Sequence, residues 1–105
     1  MATADIDFRE IARWALPQLP TILDLHGVEH RRAGAEIEMI NPTREDRRFG
    51  SFRVNMRTGF WSDFATGDSG GDVISLVAYL RGCRQIEAAQ SISDLLKTGV
   101  GPRHG

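Results

Sequence analysis

Apolar residues recur along this chain with a helical period near both ends and a two-residue period in the middle. The first apolar set, at three- and four-residue spacing, predicts a helix capped by Asp5 or Asp7 and broken by two prolines. Its members are Phe8, Ile11, Ala12, Ala15 and Leu16. A short helical turn is predicted over 21–25, closed by Gly27, and the polar segment 29–35 is predicted to form a turn.

Strict alternation in the middle of the chain predicts strands with one buried face. Two such strands, 36–40 and 49–56, are expected, and the second forms a hairpin with a strand that follows a three-residue loop. In this register Phe60 and Phe64 lie on the core face, whereas Trp61 lies on the outer face. The core face also holds Phe52, Val54 and Met56, and the outer face holds Arg53, Asn55 and Asp63. A slip of one residue would exchange the two faces.

Two further helices are predicted after the glycines at 70 and 71. Asp72 is the expected N-cap of the first helix, and Gly82 is expected to end it. The second helix is predicted over 85–97, with Gly99 as its stop. A small antiparallel β-sheet with helices packed on one face is therefore expected, which is an α+β fold.

The composition is typical of a single soluble domain. The chain has 105 residues, enough for a modest core, and its only cysteine, Cys83, is typical of a reducing cytoplasm. No apolar run reaches the ~18 residues of a membrane span, and the N-terminus lacks a signal-peptide pattern. We expect a cytoplasmic protein with an N-terminal helical segment over 1–35, a β-sheet domain over 36–98 and a disordered tail over 99–105.

Charges are distributed unevenly, although the formal net charge is only −1. Residues 1–40 contain four arginines and seven acidic residues, whereas residues 41–60 contain five arginines and two acidic residues. The arginines of this middle block are Arg44, Arg47, Arg48, Arg53 and Arg57. With Trp61 they fit a surface for single-stranded nucleic acid, in which cations bind phosphates and bases stack on aromatic rings. In the alternative interpretation the arginines pair with nearby acids, Arg53 with Asp63 among them, and Trp61 covers the core.

Other motifs point less clearly to chemistry. Gly67-Asp-Ser-Gly-Gly71 matches the nucleophile motif of chymotrypsin-like proteases, but the chain is too short for their two β-barrels. The same glycines are better suited to a strand-to-helix turn than to a phosphate site, because Asp68 and Asp72 would repel the anion. These two carboxylates are the candidates for Mg²⁺ chemistry, and the scattered histidines and cysteine do not form a zinc site. We expect no cofactor and no catalysis by this chain alone.

Several short motifs between residues 37 and 96 occur in a recognisable order. They are Asn41-Pro42, Ser51-Phe-Arg-Val54, Gly70-Gly-Asp72 followed by Ile74, and Glu87-Ala-Ala-x-x-Ile92. In this order they resemble the zinc-binding (CHC2-type) domain of DNA primases, and the run from Trp61 to Gly67 is similar to a variant in phage and mobile-element primase-helicase proteins. Asn41 and Arg44 stand where that family has its first Cys and its His. Phe64-Ala-Thr-Gly67 stands where it has a Cys-x-x-Cys pair.

The resemblance implies a zinc-ribbon-like domain that has lost its metal and is stabilised by aromatic packing. The aromatic residues expected in that core are Phe49, Phe52, Phe60, Phe64 and Trp61. In the family this domain binds template single strand and assists a separate catalytic domain. The resemblance therefore implies a non-catalytic accessory domain that binds single-stranded DNA or RNA, with Arg53 and Trp61 facing it. The alternative is a protein-interaction module that docks on a primase, polymerase or helicase, and no membrane partner is expected.

Overall fold

The computed structural model describes residues 7–45 and 48–97. These residues form four α-helices and a five-stranded sheet with strand order β1-β2-β3-β4-β5. The helices are α1 (Phe8–Ala15), α2 (Leu19–Leu25), α3 (Val73–Arg81) and α4 (Gln85–Lys97). The strands are β1 (His30–Ala33), β2 (Glu36–Met39), β3 (Phe52–Asn55), β4 (Trp61–Asp63) and β5 (Asp68–Gly70). All neighbouring strands are antiparallel, so the predicted α+β class is confirmed.

The N-terminal helices begin where the sequence places capping residues and prolines. Asp7 caps α1, because its side chain accepts a hydrogen bond from the backbone N–H of Glu10 at 3.1 Å. Pro17 and Pro20 lie at the starts of a 3₁₀ helix (Leu16–Gln18) and of α2, where a missing N–H costs nothing. The prolines therefore redirect the chain between helical segments without ending helical structure.

Strand β1 occupies the segment for which the sequence predicts a turn, so that prediction is wrong. The strand pairs with β2 along its whole length, with His30 opposite Met39 and Ala33 opposite Glu36. It lacks an alternating apolar pattern because it lies at the edge of the sheet, where Arg31 and Arg32 are exposed. Charged side chains on an edge strand discourage pairing with other chains. Residues 7–33 thus supply helices and an edge strand to the same unit as the rest of the sheet.

The β3–β4 hairpin has a register one residue away from the predicted one. Asn55 pairs with Phe60, because the N–H of Asn55 donates to the carbonyl of Phe60 at 2.8 Å, and the turn therefore spans Met56–Gly59. One extra loop residue exchanges the faces of β4. Trp61 lies on the inner face opposite Val54 and is 3% exposed. The predicted placement of Trp61 on the outer face, and of Phe60 and Phe64 in the core, is wrong.

The inner face of the sheet packs against the helices in one apolar core. The strands contribute Ile37, Met39, Phe52, Val54 and Trp61, and the helices contribute Ile11, Ala15, Leu19, Ile22, Leu23, Val73, Ile74, Leu76, Val77, Ala78, Ala88, Ala89 and Ile92. Among the helices of the described residues, none is long and apolar enough to cross a membrane.

The glycine-rich segment before α3 forms strand β5, which the sequence analysis missed. Ser69 of β5 pairs with Ser62 of β4, and the chain then turns into α3. Asp72 caps this helix as predicted, because its side chain accepts a hydrogen bond from the N–H of Ser75 at 2.8 Å. Gly82 ends the helix with φ of 67°, also as predicted.

Candidate nucleic-acid interface

Two of the arginines predicted to bind nucleic acid already form ion pairs within the domain. Arg44 is largely buried, with its Nη2 3.1 Å from Oδ2 of Asp63. Arg53 lies between two glutamates, with Nη1 3.2 Å from Oε1 of Glu36 and Nη2 3.1 Å from Oε2 of Glu38. The alternative pairing of Arg53 with Asp63 is not formed, because the two side chains lie on opposite faces of the sheet. A phosphate would have to compete with these carboxylates for either guanidinium.

The remaining predicted residues differ widely in exposure. Arg48 and Arg57 are exposed, in the loop before β3 and in the turn after it. Arg47 lies outside the described residues. Trp61 is buried, and its Nε1 donates to Oγ of Ser75 at 2.9 Å, so its ring cannot stack on a base while the domain is folded. The binding role of the arginines stays a prediction, and the proposed role of Trp61 is incompatible with its position.

The outer face of β4 instead carries two exposed phenylalanines. Phe60 immediately precedes the strand and Phe64 immediately follows it, and they are 52% and 76% exposed. Because side chains alternate along extended chain, both lie on the same face as Ser62, which pairs with Arg53 of β3 and Ser69 of β5. Four residues of extended chain separate the two rings by about 13 Å. The sequence did not reveal these rings, because the sequence of the turn before β4 permits both three and four residues.

Acidic and basic side chains alternate across the β1–β3 half of the outer face. Nε of Arg31 on β1 donates to Glu38 on β2 at 2.8 Å, and Glu38 also binds Arg53 on β3. The guanidinium of Arg31 lies 4.5 Å from the ring centroid of Phe49. This half of the face is charge-balanced and attracts phosphate weakly, whereas the apolar surface lies on the β4 side.

A polar cluster lies at the C-terminal end of β4, on the inner face of the sheet. It is formed by Asn41, Arg44, Asp63 and Tyr79. The Asp63 side chain is fully buried. Nδ2 of Asn41 donates to Oδ2 of Asp63 at 2.8 Å and also to the hydroxyl of Tyr79 at 2.9 Å. Arg44 donates to the same Oδ2 through Nε at 3.2 Å and Nη2 at 3.1 Å, and the Ala65 N–H donates to Oδ1 at 2.9 Å. These contacts satisfy both oxygens of the buried carboxylate.

The polar cluster keeps Asp63 ionised. Burial raises the pKa of this carboxyl, but the hydrogen bonds from Asn41 and Ala65 and the guanidinium of Arg44 lower it by more. The resulting pKa lies below the ordinary value of 3.8. The cluster therefore contains an ion pair at neutral pH.

The residues considered for metal chemistry have other partners. Over residues 7–45 and 48–97, no group of three or more His, Cys, Asp or Glu side chains could hold a metal ion. Asp72 caps α3, and Oδ2 of Asp68 accepts a hydrogen bond from the Tyr79 hydroxyl at 2.8 Å. His26 and His30 each lie 2.8 Å from an oxygen of α2. The two carboxylates considered for Mg²⁺ thus have separate structural roles.

A primase of known structure is similar to this chain. The crystal structure of the Aquifex aeolicus primase, comprising zinc binding and RNA polymerase domains, matches 86% of this chain with a TM-score of 0.66 and 20% sequence identity. The fold is primase-like. The chain spans about a fifth of that primase, because the match covers 21% of the solved chain. No protein-family model and no curated protein sequence matches the chain.

Proposed function

We propose that this domain is a non-catalytic accessory part of a DNA primase or related replication system, and that it binds single-stranded nucleic acid. The observation that carries the proposal is the pair of exposed rings, Phe60 and Phe64, on the outer face of a primase-like sheet. Single-strand-binding surfaces use such rings as platforms, at ~1–3 kcal/mol per stacked base. Because about 13 Å separates these two rings, each would stack on a different base.

Two exposed arginines are proposed to supply the electrostatic part of the interaction. Arg57 lies in the turn Met56–Gly59, three residues before Phe60, and is exposed. Arg48 is exposed in the loop that leads to β3. The net charge of −1 and the ion pairs of Arg44 and Arg53 limit the total attraction for phosphate. We therefore expect modest affinity in which stacking contributes a large share.

Substituting the exposed rings is expected to weaken binding of single-stranded DNA without affecting folding. Phe60→Ala and Phe64→Ala should each raise Kd by roughly 5-fold or more, because each removes one stacking platform. The double variant should lose more than either single variant. Fluorescence anisotropy with a short labelled oligonucleotide, at low and moderate salt and with EDTA present, measures this effect. Arg57→Ala should weaken binding and reduce its dependence on salt.

The matched control is Phe8→Ala, which removes a 41% exposed phenylalanine from α1, outside the sheet. Its affinity for the oligonucleotide should equal that of the unmodified protein. Equal losses in Phe8→Ala and Phe64→Ala would contradict a defined interface on β4. Absence of binding by the unmodified protein at low salt would rule out the nucleic-acid function.

A second candidate function is docking on the polymerase domain of a primase. An open groove between α1 and α4 supports it, with Trp14 54% exposed at its side. The groove is lined by Arg13, Trp14, Pro17, Gln18, Ser93 and Leu96. An exposed tryptophan in an apolar groove is typical of a hot spot for protein binding. The polymerase domain is the proposed occupant because the similar primase carries zinc binding and RNA polymerase domains together.

Trp14→Ala is expected to abolish association with a primase polymerase domain and to leave oligonucleotide binding unchanged. The reason is that the groove lies on the helical side of the domain, whereas Phe60 and Phe64 lie on the outer sheet face. Sedimentation of the mixed, purified domains would measure association. Unchanged association of the Trp14→Ala variant would contradict docking through this groove.

A further inference from the structure

Two turns of the same construction meet in the polar cluster. In the first, Oδ1 of Asn41 accepts a hydrogen bond from the N–H of Thr43 at 2.8 Å, and in the second, Oδ1 of Asp63 accepts one from the N–H of Ala65 at 2.9 Å. The two turns are joined directly, because Nδ2 of Asn41 donates to Oδ2 of Asp63 at 2.8 Å. Arg44, three residues after Asn41, donates to the same carboxylate oxygen.

The spacing of these turns matches the spacing of the metal ligands in the family that the sequence resembles. Asn41 and Arg44 have the Cys-Pro-x-His spacing, and Asp63 and Thr66 have the Cys-x-x-Cys spacing. The second pair therefore begins one residue earlier than the motif resemblance implies, which starts it at Phe64. The Phe64 side chain is 76% exposed on the outer face, whereas the Asp63 carboxylate accepts hydrogen bonds from Asn41 and Arg44.

The residues at these four positions do not fit a zinc ion. A structural zinc site takes four closed ligands, almost always thiolates and imidazoles. Asn41 and Thr66 are neutral, and Arg44 carries a permanent positive charge that would repel a metal. Asp63 is the one anionic group of the set, and its oxygens already accept hydrogen bonds from Asn41, Arg44 and Ala65. These side chains therefore form a hydrogen-bonded ion pair and do not supply the ligands of a metal centre.

We propose that the contacts among Asn41, Arg44 and Asp63 replace a metal ion as the cross-link between the two turns, so that the domain folds without zinc. In a zinc site the central positive charge is the ion, and the ligands are thiolates and neutral imidazoles. Here the central charge is the negative Asp63 carboxylate, and the surrounding groups donate hydrogen bonds to it. Tyr79 extends the cross-link to α3, because its hydroxyl accepts a hydrogen bond from Asn41 at 2.9 Å. This inference does not depend on nucleic-acid binding.

The first test uses the unmodified protein, produced in zinc-supplemented medium. Metal analysis of the purified protein is expected to find no stoichiometric zinc. Thermal unfolding is expected to give the same Tm with excess EDTA, with added Zn²⁺ and with neither. Retained zinc, or a Tm lowered by EDTA, would overturn the proposal.

The second test restores ligands at the four positions. The variant Asn41→Cys/Arg44→His/Asp63→Cys/Thr66→Cys is expected to bind Co²⁺ with the visible absorption of a tetrahedral thiolate site, and its Tm should fall with EDTA. Its control, Asn41→Cys/Arg44→His/Phe64→Cys/Gly67→Cys, uses the positions that the motif resemblance implies and should not form that site. A soluble first variant without the absorption, or the absorption in the control alone, would show that the polar cluster does not occupy the metal position.

Discussion

Replacing Asp63 by asparagine is expected to lower the free energy of unfolding by about 3 kcal/mol at neutral pH. The substitution keeps the shape of the side chain but removes its charge. It removes the negative charge that pairs with the largely buried guanidinium of Arg44 and sets one amide against another at Asn41. The expected loss lies at the lower end of the range of destabilisation for breaking buried ion pairs, because Arg44 is 28% exposed and can recruit water. Urea unfolding followed by circular dichroism would measure the change.

The control for this substitution is Glu87→Gln, which makes the same chemical change in an exposed ion pair. Glu87 lies 3.2 Å from Nη2 of Arg84, and both side chains are mostly in water. Exposed pairs of this kind add little stability, so the urea midpoint should hardly move. Equal losses in the Asp63 and Glu87 variants would show that burial of the Asp63 carboxylate does not strengthen its contacts.

The contribution of Asp63 should also disappear in acid. Its pKa in the folded domain lies below the ordinary value of 3.8, because the donors around it favour the charged form more than burial disfavours it. A lowered folded pKa means that this contribution is complete above the unfolded pKa and is lost as the pH falls through the folded pKa. The stability difference between the unmodified protein and Asp63→Asn should therefore shrink below pH 3.8. A difference that stays constant through that range would contradict an ion pair.

The elements that the sequence predicted correctly are those determined by local signals. Asp72 lies before a continuous apolar run and Gly82 lies after it, so both ends of α3 follow from capping chemistry alone. The range of α4 was predicted for a similar reason, from apolar spacing followed by glycine. Local signals of this kind act within a few residues and do not require knowledge of the partner segments.

The errors concern pairing between distant or polar segments. The face of Trp61 depends on whether the β3–β4 turn has three or four residues, and the sequence of the turn permits both. Strand β1 is recognisable only from its pairing with β2, since its own residues are polar. The error affected the candidate site most. The structure has Phe60 and Phe64 on the outer face and Trp61 in the core, which is the reverse of the predicted arrangement.

The polar cluster could not be predicted from residue types. Asn41 and Asp63 are 22 residues apart in sequence, and each is common in exposed turns. Their meeting depends on β2 and β4 flanking β3 in the sheet, with the ends of both strands on the same side. The family resemblance identified Asn41 and Arg44 as replacements of metal ligands. It placed the start of the second turn at Phe64, one residue after Asp63, whose side chain makes the contact with Asn41.

Trp61→Ala is expected to destabilise the domain by about 3–5 kcal/mol, the usual cost of truncating a buried tryptophan. The indole packs edge-to-face on Phe52 with centroids 6.0 Å apart, and its centroid lies 4.7 Å from that of Tyr79. A Cβ at Gly70 would lie only 2.4 Å from the indole Nε1, so the backbone of β5 closes tightly over the ring. Alanine would leave a cavity and would also remove the hydrogen bond to Ser75. Urea unfolding of the variant would measure the loss.

Trp14→Ala separates this effect from the general loss of a tryptophan, because Trp14 is 54% exposed and its removal opens no buried cavity. Its urea midpoint should stay close to that of the unmodified protein.

Trp61→Phe should be intermediate in stability, since it retains a ring but not the Nε1 donor, and should bind the oligonucleotide as well as the unmodified protein does. A stable Trp61→Ala variant that had lost only oligonucleotide binding would favour the register predicted from sequence, with Trp61 on the outer face. Loss of stability together with normal binding by Trp61→Phe would assign the indole to the core and leave base stacking to Phe60 and Phe64.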